Sequence, residues 1–404
     1  MKFFKSLPAK LLLALILGIV GGLVIHNFEA TVPVMGSVLS VLASIKYVLN
    51  QVIMFCVPLI IIGFIAPSIT KLGSSASRML TVALILAYVS SVLAAFMSMG
   101  AGYAIIPNLA IANDAAEAVE PAALFKLDIP QIMPVMSALV LSVLLGLAAV
   151  WTKAQTVIRL LDEFRAIVLK IVAKLVIPVL PVYIFTVFTM LAYNGTITEK
   201  FPVFVVAIVT VLAGHFVWMA ILYGAAGIYT KTNPIEVVKH YGPAYITAVG
   251  TMSSAATLSV ALTCAHKAKT LRKDMVDFGV PLFANIHLCG SVLTEVFFVM
   301  AVSQVLYGHL PSVGSMILFC LLLGVFAIGA PGVPGGTVQA SLGLIVAVLG
   351  FTEVGTGLMI AIFALQDSFG TACNVTGDGA LTLMLTGYAK KHNIAEESVA
   401  QVEL

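Results

Sequence analysis

Charge is what this chain has least of. Only 10% of its 404 residues are Asp, Glu, Lys or Arg, against roughly 25% in an ordinary soluble domain. Hydrophobic residues make up 61%, and a soluble fold cannot hide that much apolar surface in cores of the usual roughly 100–200 residues. Lipid must be the solvent for most of the chain. That excludes a soluble enzyme and a disordered protein, and a net charge of +3 is too weak a footprint for a nucleic-acid binder. Tryptophan is limited to Trp151 and Trp218, residues suited to anchoring at a membrane interface. The five cysteines (Cys56, Cys264, Cys289, Cys320, Cys373) lie in apolar stretches without a CxxC pair, so they carry no disulfide or zinc signal. The N-terminal MKFFKSLPAK, followed by LLLALILGIVGGLVI, lacks the small-x-small cleavage site of a signal peptide and reads as an uncleaved first membrane helix.

A bilayer core takes about 20 apolar residues per helix. Further candidate spans are 47–68, 80–106, 130–151, 166–192, 202–229, 278–307 and 357–388. Positive clusters (Lys2/Lys5/Lys10, Lys71/Arg78, Lys153/Arg159/Arg165, Lys231/Lys239, Lys267/Lys269/Arg272/Lys273, Lys390/Lys391) contrast with an acidic 108–129 loop holding Asp114, Glu117, Glu120 and Asp128. The first six helices then alternate, with both termini on the cytoplasmic side. The alternation breaks at 241–265, which has positive charge on both flanks and the small, polar centre GTMSSAATLS. It reads as a re-entrant hairpin. The 313–350 stretch repeats that logic from the opposite face, broken by the proline- and glycine-rich GAPGVPGG at 329–336. Two hairpins from opposite faces, each followed by a full helix, form an inverted repeat, the usual mark of a secondary transporter with its site at the tips.

No Lys or Arg lies between Lys273 and Lys390, yet Glu295, Asp367 and Asp378 fall inside that region's apolar helices. Intramembrane acids cost at least a few kcal/mol and mark ion or substrate paths. Their counter-charge must come from a proton, a metal cation or a cationic ligand group. Asp367, Thr371, Asn374 and Asp378 are spaced 4, 3 and 4, one stripe of one helix. The NVTGD run at 374–378 predicts local unwinding that frees carbonyls to join Asp378 around a hard cation. His287, Ser291 and Glu295, at i, i+4 and i+8, form a second stripe in which His287 is either a proton acceptor paired with Glu295 or bonded to hairpin backbone. His215, alone in an apolar helix, reads as structural.

These segments carry a family resemblance. SSAATL at 253–258, FANIHLCGS at 283–291, GAPGVPGG at 329–336 and LQDSFGTACNVTGD at 365–378 resemble the motifs of the glutamate transporter homologues, the dicarboxylate/amino acid:cation symporters. The resemblance implies an all-α membrane fold with eight transmembrane helices, two re-entrant hairpins and inverted repeats, working as an elevator in a homotrimer. It implies a scaffold at roughly 1–79 and 130–200, a transport unit at roughly 80–129 and 201–390, and a cytoplasmic tail at 391–404. Residue by residue, it places Ser253, Ser254, Gly332 and Val333 at the tips that hold the substrate. It gives Asp367 to the substrate's amino group, with Ser291, Thr371 and Asn374 as polar neighbours. Sodium falls to Asp378 with carbonyls of Phe283, His287 and Asn374, and a second ion to carbonyls near Asn285 and Ala327. Glu295 matches a proton-carrier position.

Three departures shape the expected function. Gly370 stands where relatives taking acidic substrates have arginine, Met252 stands where some carry another, and Cys289 stands for an aspartate of a third sodium site. The expectation is therefore a multi-pass plasma-membrane symporter, not an enzyme, coupling Na+ and a possible H+ contribution to uptake of a small neutral L-amino acid such as serine or threonine. It needs no organic cofactor and no nucleic-acid partner. The alternative is a dicarboxylate or acidic amino acid symporter, and an ion channel is the rival from another class.

Overall fold

A computed structural model describes residues 7–28, 32, 34–74, 78–109, 121–330, 332 and 334–394. Every regular element among them is helical: α1 (Leu7–Phe28), α2 (Val34–Ser74), α3 (Arg78–Ile105), α4 (Val135–Trp151), α5 (Gln155–Ile171), α6 (Ile177–Tyr193), α7 (Thr196–Thr230), α8 (Ile235–Val238), α9 (Gly242–Thr251), α10 (Ser254–His266), α11 (Lys273–Ile286), α12 (Cys289–Tyr307), α13 (Val313–Gly329), α14 (Gly336–Leu349) and α15 (Glu353–Lys391). Seven spans among the described residues are long and apolar enough to cross a membrane; α13 and α14 are shorter apolar helices. The sequence expectation of an all-helical membrane protein holds. Lys2, Lys5, Asp114, Glu117, Glu120, Val333 and the 395–404 tail lie outside the described residues.

Proline shapes the helix path in two ways. α5 and α6 form one rod through a π-helical turn at Val172–Val176, just before Pro178, whose missing N–H leaves the Lys174 carbonyl without its usual partner. α2 runs on through Pro58 and Pro67 and so starts well before the expected 47–68 span. α1 lies very close to α6: a Cβ on Gly18 would fall 2.6 Å from the Phe185 carbonyl oxygen, and one on Gly22 would fall 2.3 Å from that of Thr189. Such small-xxx-small spacing lets membrane helices approach backbone to backbone. α2 packs on α4, α5 and α6, whereas α3, α7 and α15 pack around α12, which is buried along almost its whole length.

Both predicted hairpins form. The first turns between α9 and α10 at Met252, whose φ of 52° ends α9 in the left-handed region, followed by extended Ser253. The second turns between α13 and α14, from extended Ala330 to Gly335 at φ 69°. Glycine is the residue that adopts that conformation without strain.

Two expectations are corrected. The 278–307 stretch is not one helix: the chain is extended at His287 (φ −118°, ψ 107°) and non-helical at Leu288, so α11 ends and α12 begins anew. Conversely, α15 runs unbroken through 374–378 and the expected unwinding is absent. The physical reason is shared. Asn374, expected to compete for its own backbone, spends its side chain on the neighbouring broken helix instead.

Candidate functional site

The two hairpin tips meet. Ser253 Oγ donates to the Gly332 carbonyl at 2.6 Å and accepts from Ala256 N at 3.2 Å, capping α10. A Cβ on Gly332 would sit 3.3 Å from the Ala284 carbonyl oxygen and 3.7 Å from Ser254 Cβ. Three segments therefore converge on Gly332: the first tip, the second tip and the end of α11. Neighbouring Gly335 donates its N–H to Asp367 Oδ2 at 2.7 Å, latching the second tip onto α15. Asp367 is 3% exposed, so this charge-assisted contact is shielded from water.

Asn374, seven residues on, serves α12. Its Oδ1 accepts from Gly290 N at 2.7 Å and Ser291 N at 3.2 Å, and its Nδ2 donates to Ser291 Oγ at 2.9 Å. The first amides of a helix have no intrahelical acceptor, and here a side chain from another helix supplies one. The crossing is tight: a Cβ on Gly290 would fall 2.5 Å from both Cys373 Cβ and the Gly370 oxygen, and one on Gly370 would fall 3.3 Å from Ser291 Cα. Gly370 thus packs against the α12 backbone.

The second stripe is also corrected. Ser291 and Glu295 share α12, but His287 precedes the helix and turns to Asp378 rather than to Glu295. Its Nδ1 lies 2.9 Å from Asp378 Oδ1 and its Nε2 lies 2.9 Å from Ser90 Oγ on α3. A carboxylate only accepts, so these partners assign the hydrogen to Nδ1 and leave Nε2 to accept from the serine hydroxyl. All three groups are buried. Glu295 Oε1 accepts from Ser341 Oγ of α14, and its Oε2 is buried without a partner among the described residues.

Of the oxygens that the resemblance assigns to a sodium ion beside Asp378, the carboxylate Oδ1 of Asp378 faces His287 Nδ1, and others close by are engaged too. The Phe283 carbonyl accepts from His287 N at 2.9 Å, the Asp378 carbonyl accepts from Thr382 Oγ1 at 2.7 Å, and the Asn374 carbonyl stays within unbroken α15. For the second expected ion, Ala327 is buried on α13, while Asn285 is exposed and its amide donates to the Pro281 carbonyl. No hydrogen bond joins those two among the described residues.

Sequence reasoning missed three contributors: Ser90, the Gly335 amide and Ser341; His215, read there as structural, makes a helix-to-helix contact. His215 holds α7 to α12, its Nε2 donating to the Gly290 carbonyl at 3.1 Å and lying 2.9 Å from Thr294 Oγ1. The signals were slight. A Ser90–Ser91 pair in an apolar helix and a lone intramembrane histidine each imply a polar partner, without saying which.

Residues 7–388 match the model of the sodium:dicarboxylate symporter family, a family of transporters and not of enzymes. The chain is 28% identical over 248 residues to an excitatory amino acid transporter of Caenorhabditis elegans, covering 59% of this chain and 48% of that one. It is 31% identical over 199 residues to excitatory amino acid transporter 3 of Mus musculus, covering 48% and 36%. These alignments thus span half or less of the relatives' length.

Proposed function

The chain belongs to the sodium:dicarboxylate symporter family, and from that premise we propose that it couples sodium to the uptake of a small neutral L-amino acid such as serine or threonine. The observation that carries the reading is the environment of Asp367. It is a buried carboxylate with no Lys or Arg between residues 273 and 390, held among the described residues by the Gly335 amide of the second hairpin and by Thr371 of its own helix. When the second tip lifts, Gly335 N–H leaves and an incoming ammonium group replaces it. The substrate carboxylate then meets the N-terminus of α10 at Ser253 and Ser254, where first-turn amides and the helix dipole favour an anion. Ser291, Thr371 and Asn374 give the pocket its remaining polar wall, with Gly332 closing it.

Sodium is cargo here. The proposed place for it is between α11 and α13, which pack on one another, near Asn285 and Ala327 in their last turns, since helix C-termini present carbonyl oxygens and a negative dipole end to a cation. Glu295, buried and bonded to Ser341 of the second hairpin, is the proposed proton carrier. The set of α1, α2, α4, α5 and α6 forms the scaffold. α3, α7 and α9–α15 form the transport unit of an elevator that works as a homotrimer in the plasma membrane, with both termini cytoplasmic and eight transmembrane helices.

A second reading, acidic amino acid or dicarboxylate transport, draws on the family description and on the names of the relatives. Gly370 counts against it, because that turn offers no cation to a second carboxylate. Uptake of labelled serine into proteoliposomes, with sodium and proton gradients imposed separately and with unlabelled competitors, decides between them. Neutral amino acids outcompete aspartate, glutamate and succinate under the first reading; the reverse order establishes the second.

A further inference from the structure

The His287 side chain, set in the break between α11 and α12, has partners on two other helices: Ser90 of α3 and Asp378 of α15. It is fully buried, and Asp378 is 1% exposed. We propose that the His287 side chain stands in for a coupling cation at Asp378, so that this carboxylate is an internal anchor and not a sodium ligand. The inference rests on the reading of the chain as a sodium-coupled symporter and specifies which ion position has been given up.

The argument is one of space and of lone pairs. A hard cation is held by several oxygens at once, each within bonding reach of the ion. Beside Asp378 the nearest carboxylate oxygen already faces an N–H at 2.9 Å. Of the nearby carbonyls, that of Phe283 already accepts from His287 N, that of Asp378 from Thr382 Oγ1, and that of Thr376 from Tyr223 Oη at 2.8 Å, so each keeps one lone pair at most for a cation. The ring itself fills the volume. A Cβ on Gly377 would come within 3.0 Å of His287 Cε1, and the Phe283 ring meets the imidazole edge-on at a centroid distance of 6.3 Å. An intramembrane carboxylate needs a donor or a cation beside it, and a tethered N–H gives Asp378 that partner in every state of the transport cycle. A donor that never leaves does no coupling work. The histidine is therefore a determinant of which ion positions drive transport.

The test measures sodium binding directly, as thermal stabilisation of the purified full-length chain titrated with sodium chloride against choline chloride, with 22Na counted at equilibrium. Asp378→Asn keeps an acceptor oxygen for His287. It is expected to leave the sodium Kd of the remaining site or sites within about threefold of wild type, less than the tenfold that 1.4 kcal/mol represents. His287→Asn removes the ring and puts an amide oxygen in its place. It is expected to bind one further sodium ion, and His287→Asn/Asp378→Asn is expected to lose that ion again. A tenfold or greater weakening of sodium binding in Asp378→Asn alone overturns the proposal, as does a His287→Asn protein that folds and gains no ion. If His287→Asn does not fold, the Asp378→Asn titration decides alone. A wild type with no sodium response defeats sodium coupling itself, and there the gain or absence of an ion in His287→Asn settles the role of the histidine separately.

Discussion

Replacing Asp367 by asparagine separates two functions that the aspartate combines. In the structure its Oδ2 accepts the Gly335 N–H at 2.7 Å. Asparagine keeps an acceptor oxygen there, so the second hairpin still latches. What Asp367→Asn loses is the charge that, on the proposed reading, meets an ammonium group. The site is 3% exposed, and among the described residues no Lys or Arg acts on it, so nothing there compensates. Leaving a buried charge unpaired costs about 3–5 kcal/mol, which corresponds to roughly a hundredfold to a few thousandfold in substrate affinity. Asp367→Ala also strands the Gly335 amide, a further cost of about 1–3 kcal/mol that falls on the closed hairpin. The expected pattern is that Asp367→Asn folds with near-wild-type thermal stability yet binds labelled serine too weakly to detect, whereas Asp367→Ala is in addition less stable. Equilibrium binding of labelled serine, alongside the melting temperature of each variant, reads both effects. Serine affinity in Asp367→Asn within about threefold of wild type, less than the tenfold per 1.4 kcal/mol of a lost charge contact, would refute the reasoning and remove Asp367 from the substrate's path.

Asn374→Ala leaves two buried α12 amides without acceptors, at about 1–3 kcal/mol each, so a clear fall in melting temperature is expected; an unchanged one denies the cap its importance. Gly370→Arg adds a Cβ that must push Ser291 Cα from 3.3 Å, an overpacking cost of about 1–3 kcal/mol. The new cation beside Asp367 is expected to shift competition toward aspartate and glutamate, and a ranking identical to wild type counts against the pocket assignment. Glu295→Gln preserves the Ser341 contact and removes the exchangeable proton. Its uptake is expected to lose pH dependence across about pH 6–8, whereas a wild-type profile makes Glu295 structural.

The hairpins were legible because their sequence signals are local. GAPGVPGG cannot stay helical, and positive charge on both flanks of 241–265 denies that segment a crossing. The helix paths at 286–289 and 374–378 were not legible in the same way. NVTGD carries helix-weakening residues yet remains helical, because α15 is almost wholly buried and Asn374 finds its partners on α12. The Ile286–Cys289 segment carries no Pro or Gly and still breaks, because His287 is drawn toward Asp378 and Ser90, partners 91 and 197 residues away in sequence. Local propensity fixes a helix end only where tertiary contacts do not outweigh it. The acids themselves were plain from composition. Their partners are long-range contacts that no spacing rule contains.

Those partners decide what the site is able to accept. The absence of Lys and Arg from 274–389 demands that each intramembrane acid find another donor or a neutralising ligand, and the three find different ones. Glu295 takes the hydroxyl of Ser341, and Asp378 takes the imidazole of His287. Both donors are side chains of buried helices or their junctions. Asp367 alone takes a backbone amide from a hairpin tip, between Ala330 and Gly336, where the helix is interrupted. Of the three, it is the carboxylate whose partner is free to withdraw without unpacking the core. Whatever enters when that tip lifts must replace an N–H donor at an acidic oxygen, and a protonated amine does so while adding the missing positive charge. A dicarboxylate offers neither. On the proposed reading, the chemistry of the vacated contact selects an amine-bearing substrate, and Gly370 limits it to a single carboxylate.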